Sequence, residues 1–98
     1  MAELDPVIHQ PVRLRLMAAL AALRDVDSVE FTFLRDLLGL TDGNLGAHLR
    51  KLEEEGYIIL EKTFVDRKPK TYASLSAKGR DAFRQHVAAL KEILKSGA

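Results

Sequence analysis

Residues 41–75, TDGNLGAHLRKLEEEGYIILEKTFVDRKPKTYASL, decide the fold. Thr41 is suited to cap a helix, because its hydroxyl can accept a hydrogen bond from a free amide of the first turn. Leu45, Leu49 and Leu52 follow at offsets of 0, 4 and 7, a single buried stripe. Gly56 supplies the left-handed position that ends many helices. Residues 57–64 are rich in aromatic and β-branched side chains, residues 65–69 turn the chain, and residues 70–75 return as a second strand. The spacing therefore predicts a helix over residues 42–55 followed by a basic hairpin, a wing spanning residues 62–72.

On the N-terminal side, Asp5-Pro6 starts a short helical turn, with Asp5 as its cap. Pro11 restarts the helix at its own first position, giving a first long helix over about residues 11–24. Its apolar residues are too many for one face: Val12, Leu16, Leu20 and Leu23 make one stripe, Leu14, Met17, Ala18 and Ala21 another. A helix apolar on two sides needs two partners, one of which can be another subunit. Residues 25–30 are a polar connection, Phe31 ends a short edge strand, and Thr32 caps a compact helix over residues 33–38. Gly39-Leu40-Thr41 is a tight turn, so two helices joined through glycine precede the hairpin. After it, Ser76 caps a last helix over about residues 77–95, where Phe83, Val87, Leu90 and Leu94 recur at 0, 4, 7 and 11.

The order helix, strand, helix, helix, strand, strand, helix is a winged helix-turn-helix, mainly α with a small antiparallel hairpin, in a single domain covering residues 1–98. PVRLRLMAAL, LGLTDGNLGAHLRKLEEEGYI and LSAKGRDAF resemble the ArsR/MarR-type winged-helix transcription regulators, and the resemblance covers about residues 7–95. It implies a homodimer joined through the first and last helices and bound to a palindromic operator. The apolar residues then expected at the interface are Val12, Leu16, Leu20, Phe83, Val87, Leu90 and Leu94.

Charge follows the same division. The net charge is only +1, but residues 1–40 carry four basic side chains against six acidic, and residues 44–80 eight against five. A short polar helix face beside a basic hairpin fits a DNA duplex, helix in the major groove and wing on the backbone or minor groove. On the helix, Thr41, Asp42, Gly43, Asn44, Ala47, His48, Arg50 and Lys51 are the candidate DNA-binding residues; on the wing, Lys62, Arg67, Lys68 and Lys70. Asn44 can bond adenine in a bidentate manner, and Lys51 can reach a guanine or a phosphate. His48 can approach a phosphate or a base. Asp42 either supports the helix N-terminus or reads a cytosine amino group. Gly46 is unusual inside a helix: a close contact with the preceding helix would explain it, and so would a missing backbone contact. The resulting expectation is a sequence-specific regulator of transcription, most simply a repressor. The alternative is a winged helix serving protein–protein interaction.

Other functions find little support. Cysteine is absent, which removes disulfides, thiolate metal sites and cysteine catalysis. His9, His48 and His86 lack the spacing that places two metal ligands on one helix face, and the metal sites of ArsR-type sensors find no match, so neither metal nor cofactor is expected. Glu53, Glu54 and Glu55 point in different directions around a helix, and no catalytic set is spaced for enzymatic work. No apolar run approaches a membrane span, and the expected compartment is the cytoplasm of a prokaryote.

Overall fold

The computed structural model describes residues 3–23 and 28–97. The elements are α1 (Pro11–Ala22), β1 (Val29–Glu30), α2 (Phe31–Leu38), α3 (Asp42–Glu54), β2 (Ile58–Val65), β3 (Lys68–Leu75) and α4 (Ala77–Lys95). The strands form an antiparallel sheet in the order β1-β3-β2, with Ile58 opposite Leu75 and Val65 opposite Lys68. This is the winged helix-turn-helix order. The expected end of the first helix at residue 24 and part of the connection over residues 25–30 lie outside the described residues.

The helix boundaries follow from caps. Asp5 Oδ1 accepts from the amides of Val7 (2.8 Å) and Ile8 (3.3 Å), forming the expected N-terminal turn. Pro11 occupies the start of α1, and Gln10 caps it by accepting from the Arg13 amide at 2.8 Å. Gly39, at φ +65°, closes α2 in the left-handed region, and Thr41 caps α3 by accepting from Asn44 N at 3.1 Å. Gly56, at φ +82°, ends α3: its amide reaches Glu53 O (2.9 Å), and the Tyr57 amide reaches Leu52 O (3.0 Å). That bond pair is a Schellman motif.

Three boundaries differ from expectation. α2 starts at Phe31, with Glu30 rather than Thr32 at the N-cap position and no side-chain capping bond. Val29 and Glu30 pair with Ala73 and Tyr72, so the strand runs directly into the helix and Phe31 turns onto the core. The wing turn is only Asp66-Arg67, both with positive φ (51° and 67°), and Pro69 lies within β3 opposite Phe64. β1 is too short to reach Pro69, so that side of β3 needs no amide donor there.

The core gathers Leu16, Met17 and Leu20 of α1, Leu34 of α2, the α3 stripe Leu45, Leu49 and Leu52, and Ile58 and Ala73 of the sheet. Leu16 and Leu20, expected at a subunit interface, are 0% and 4% exposed, enclosed by the chain's own elements. They are core residues.

Two helical glycines serve opposite ends. A Cβ on Gly79 would lie 1.9 Å from the Tyr57 carbonyl oxygen, so the start of α4 packs directly on the backbone beginning β2. Around Gly46 the nearest outside atom to such a Cβ is the Arg50 guanidinium, at 3.5 Å. The close contact with α2 considered for Gly46 is therefore not what selects glycine. Gly79→Ala should lower stability by about 2–4 kcal/mol, through forced separation of α4 from Tyr57. Gly46→Ala should raise it by about 0.5–1 kcal/mol, through helix propensity. Urea unfolding of the two variants checks both signs.

Candidate nucleic-acid interface

The exposed face of α3 is small and polar. Asp42, Gly43, Asn44, Ala47, Arg50 and Lys51 are all open to solvent, while His48 is half-buried. Asp42 is engaged by Arg35 of α2: Arg35 Nη1 donates to its carboxylate at 2.9 Å and Arg35 Nε to Asp36 at 3.0 Å. The pair braces α2 against the start of α3, which fits the supporting reading of Asp42 better than the base-reading one. His48 lies beside Arg13 of α1, with Nδ1 3.3 Å from Nη1. Burial and the Arg13 charge lower its pKa below the usual value, which leaves the ring neutral at neutral pH.

The wing carries its cations in two settings. Register and alternation put Lys62, Phe64, Pro69 and Thr71 on one face of the hairpin, continuous with the inward-facing Leu60 and Ala73. Lys62 and Arg50 line a cleft of ≈ 560 Å³ between α3 and the wing, floored by Phe31, Leu49 and Leu60. Arg67 and Lys68 stand at the tip, both exposed. Lys70 belongs elsewhere. It lies on the opposite face, half-buried, with Nζ donating to Glu30 at 3.0 Å, and that carboxylate raises its pKa. A cation already paired in this way is a fastening of β3 to β1 and not part of the basic tip.

On the far side of the molecule, α4 shows an apolar strip that the chain covers only in part. Phe83, Val87 and Leu90 are half-buried and Leu94 is 75% exposed. Ala21, Phe83, Val87 and Ala88 line a cleft of ≈ 530 Å³ where α4 meets α1. Val12 packs against the core.

One cluster escaped the sequence reading. His86, on α4, is 1% exposed, and its Nδ1 accepts from the Asp5 amide at 3.1 Å. Its Nε2 lies 3.4 Å from His9 Nδ1, and the Tyr57 hydroxyl donates to the other Asp5 oxygen. Asp5 is 81 residues from His86, a separation that no local pattern reveals. With Nδ1 accepting, the proton of the neutral His86 ring resides on Nε2, the nitrogen that faces His9. An added proton on His86 would go to Nδ1 and set N–H against the Asp5 N–H. Burial, then the His9 ring, lower the His86 pKa, against the opposing pull of Asp5. Burial works to raise the Asp5 pKa, but the Tyr57 hydroxyl and the Ile8 and Val7 amides bring it below the usual value. Burial and Asp5 together raise that of Tyr57. Among the described residues no group of three or more potential metal ligands gathers.

Residues 12–94 match the family model of the winged helix DNA-binding domain. An uncharacterized protein of Methanocaldococcus jannaschii is 34% identical over 90 residues, covering 92% of this chain and 95% of its own. The structure of a transcriptional regulator homologue from Pyrococcus horikoshii superposes with a TM-score of 0.84 at 30% identity, covering 92% of this chain and 86% of that one. A zinc-responsive MarR family member of Lactococcus lactis shares the fold, with a TM-score of 0.66 at 19% identity, over 98% of this chain and 62% of that one.

The histidine cluster fixes a pH dependence. Folding depresses the proton affinity of His86 and His48, so below the ordinary value of 6.5 the unfolded chain binds more protons than the folded one. Their contribution to stability is complete above that pH and is lost as pH falls through the depressed folded values. Asp5 contributes in the same direction, but only as pH falls below 3.8. Thermal unfolding between pH 7 and about 5 should show falling stability. His86→Asn should flatten that slope in part, and adding His48→Asn should flatten it further. An unchanged slope in the double variant would exclude the assignment.

Proposed function

The chain belongs to the winged helix DNA-binding domain family, and on that premise we propose that it is a sequence-specific, double-stranded DNA-binding regulator of transcription acting as a homodimer, most simply a repressor. The observation that carries the reading is the continuous surface formed by the polar face of α3, the Arg50–Lys62 cleft and the Arg67-Lys68 tip. Asn44 and Lys51 meet base edges in the major groove, with Gly43 and Ala47 permitting close approach. Arg50 and Lys62 flank the backbone strand that rises between helix and wing. Arg67 and Lys68 take the next phosphates or the minor groove.

The homodimer rests on the α4 strip. Leu94 at 75% exposure, with Val87, Leu90 and Phe83 partly open beside it, is apolar surface that a second copy would cover. Leu16 and Leu20 take no part. The contact of α1 is then confined to small residues such as Ala18 and Ala21. A two-fold dimer places its α3 helices on half-sites about 10 bp apart, which calls for a palindromic operator.

Selection from a random duplex pool, with binding measured across salt, tests the proposal. An enriched palindrome supports it. Binding without sequence preference removes the specific-regulator reading. No binding at low salt favours a protein-interaction module, for which exposed Phe33 and Leu37 on α2 would be the place to look. Arg67→Ala should weaken all sequences alike and reduce the salt slope by about one. Asn44→Ala should cost about 1–3 kcal/mol on the selected site and relax its sequence. Lys70→Ala should leave affinity nearly unchanged.

Leu94→Glu should shift the protein toward monomer in sedimentation and weaken binding to the full palindrome more than to a half-site. Equal weakening on both would argue against the α4 dimer.

A further inference from the structure

Phe64 sits one residue before the end of β2, near the tip of the wing, and is 74% exposed. It shares its face of the hairpin with Lys62 and Thr71, on the side that looks toward α3, and its cross-strand neighbour is Pro69. No core function accounts for it, because the hydrophobic cluster ends lower on the strand at Leu60. Nor is it a lone apolar residue on a neutral surface. Lys62 shares its face, Arg67 lies in the adjoining turn, and Lys68 stands at the same hairpin end on the opposite face; all three are exposed, as is Asp66. An exposed aromatic ring at a hairpin end that carries three cations against one carboxylate is complementary to a partner with phosphates on its outside and flat apolar surface within, which describes a nucleic-acid duplex.

The mounting of the ring suits insertion. The two-residue turn at Asp66 and Arg67 keeps both residues in the left-handed region, the geometry that matches the twist of paired strands. Pairing continues without interruption from Ile58–Leu75 to Val65–Lys68. Pro69 fixes its own φ directly across from the ring. The tip is therefore a stiff spike and not a floppy loop.

We propose that Phe64 is an apolar wedge that the wing presses into the minor groove at a deformable base step, partly unstacking it, while Arg67 and Lys68 hold the flanking phosphates. This rests on the DNA-binding reading and adds a readout that base-edge contacts do not supply. Pyrimidine–purine steps such as TA unstack most easily, so the wedge selects the operator by its deformability at positions flanking the half-site.

The test uses the full-length protein and a duplex from the pool selection, labelled at both ends for energy transfer and carrying 2-aminopurine at the TA step under the wing. Wild type should shorten the end-to-end distance and raise 2-aminopurine fluorescence. Phe64→Ala should bind about tenfold or more weakly, lose both signals and keep the wild-type salt slope, because no cation is removed. Phe64→Leu should retain most of the bend. Arg67→Ala should show the converse, a reduced salt slope with the fluorescence rise preserved. Phe64 is exposed, so thermal unfolding of Phe64→Ala should match wild type. Wild-type affinity and bending in Phe64→Ala, with Arg67→Ala still weakened, would overturn the wedge and leave the DNA reading standing. A drop in oligomeric mass in Phe64→Ala would assign the ring to a contact between copies instead. Absence of binding to any duplex would remove both proposals.

Discussion

The backbone of Tyr57 is held from both sides. Its amide closes the end of α3 on Leu52, and its carbonyl accepts from Ser76 at 3.0 Å and lies against Gly79 with no room for a side chain. Ser76 in turn caps α4 through the Gly79 amide and donates its hydroxyl to Gly56 at 2.6 Å. Lys78 adds a bond to Glu55 O and sits 5.5 Å from the centre of the Tyr57 ring. α3, the root of the wing and α4 thus meet at one residue.

The same junction shows what a sequence reveals. The stop at Gly56 and the stripe Leu45, Leu49 and Leu52 are local and periodic, and both were legible. The segment LSAKG was recognisable as a family resemblance, yet the reason for its glycine is a contact with residue 57 that no local pattern states. Apolar periodicity showed that α1 has too many hydrophobic residues for one side. It did not say which side meets the core, and Leu16 and Leu20 went to the core. The wing turn is narrower than the expected residues 65–69, and Asp66-Arg67 lacks the glycine or asparagine that usually marks a two-residue hairpin. Both residues take positive φ nonetheless.

Charge behaves in the same divided way. Counting cations along residues 44–80 located the basic side of the molecule but could not separate free charges from occupied ones. Lys70 faces Glu30, Arg35 is shared between Asp36 and Asp42, and Arg13 is turned toward Val7 O and His48. What remains open toward a polyanion is a smaller set arranged around α3 and the wing. A near-neutral chain can thereby gather its open cations on one side, where Arg50, Lys51, Lys62, Arg67 and Lys68 outnumber the carboxylates of Glu53 and Asp66.

Gly79 leaves no slack at the Tyr57 carbonyl, so the start of α4 is tied to the end of α3 through residues 55–57. In the dimer proposed above, the two α3 helices would stand apart like the jaws of a calliper whose gap is set by the α4 contact. Inserting one base pair between half-sites shifts a jaw's target by about 3.4 Å and turns it by about 35°. A joint with no room for a methyl group cannot absorb that displacement by sliding. The spacing of the half-sites would then be gauged mechanically, as a dimension of the operator separate from the identity of its bases.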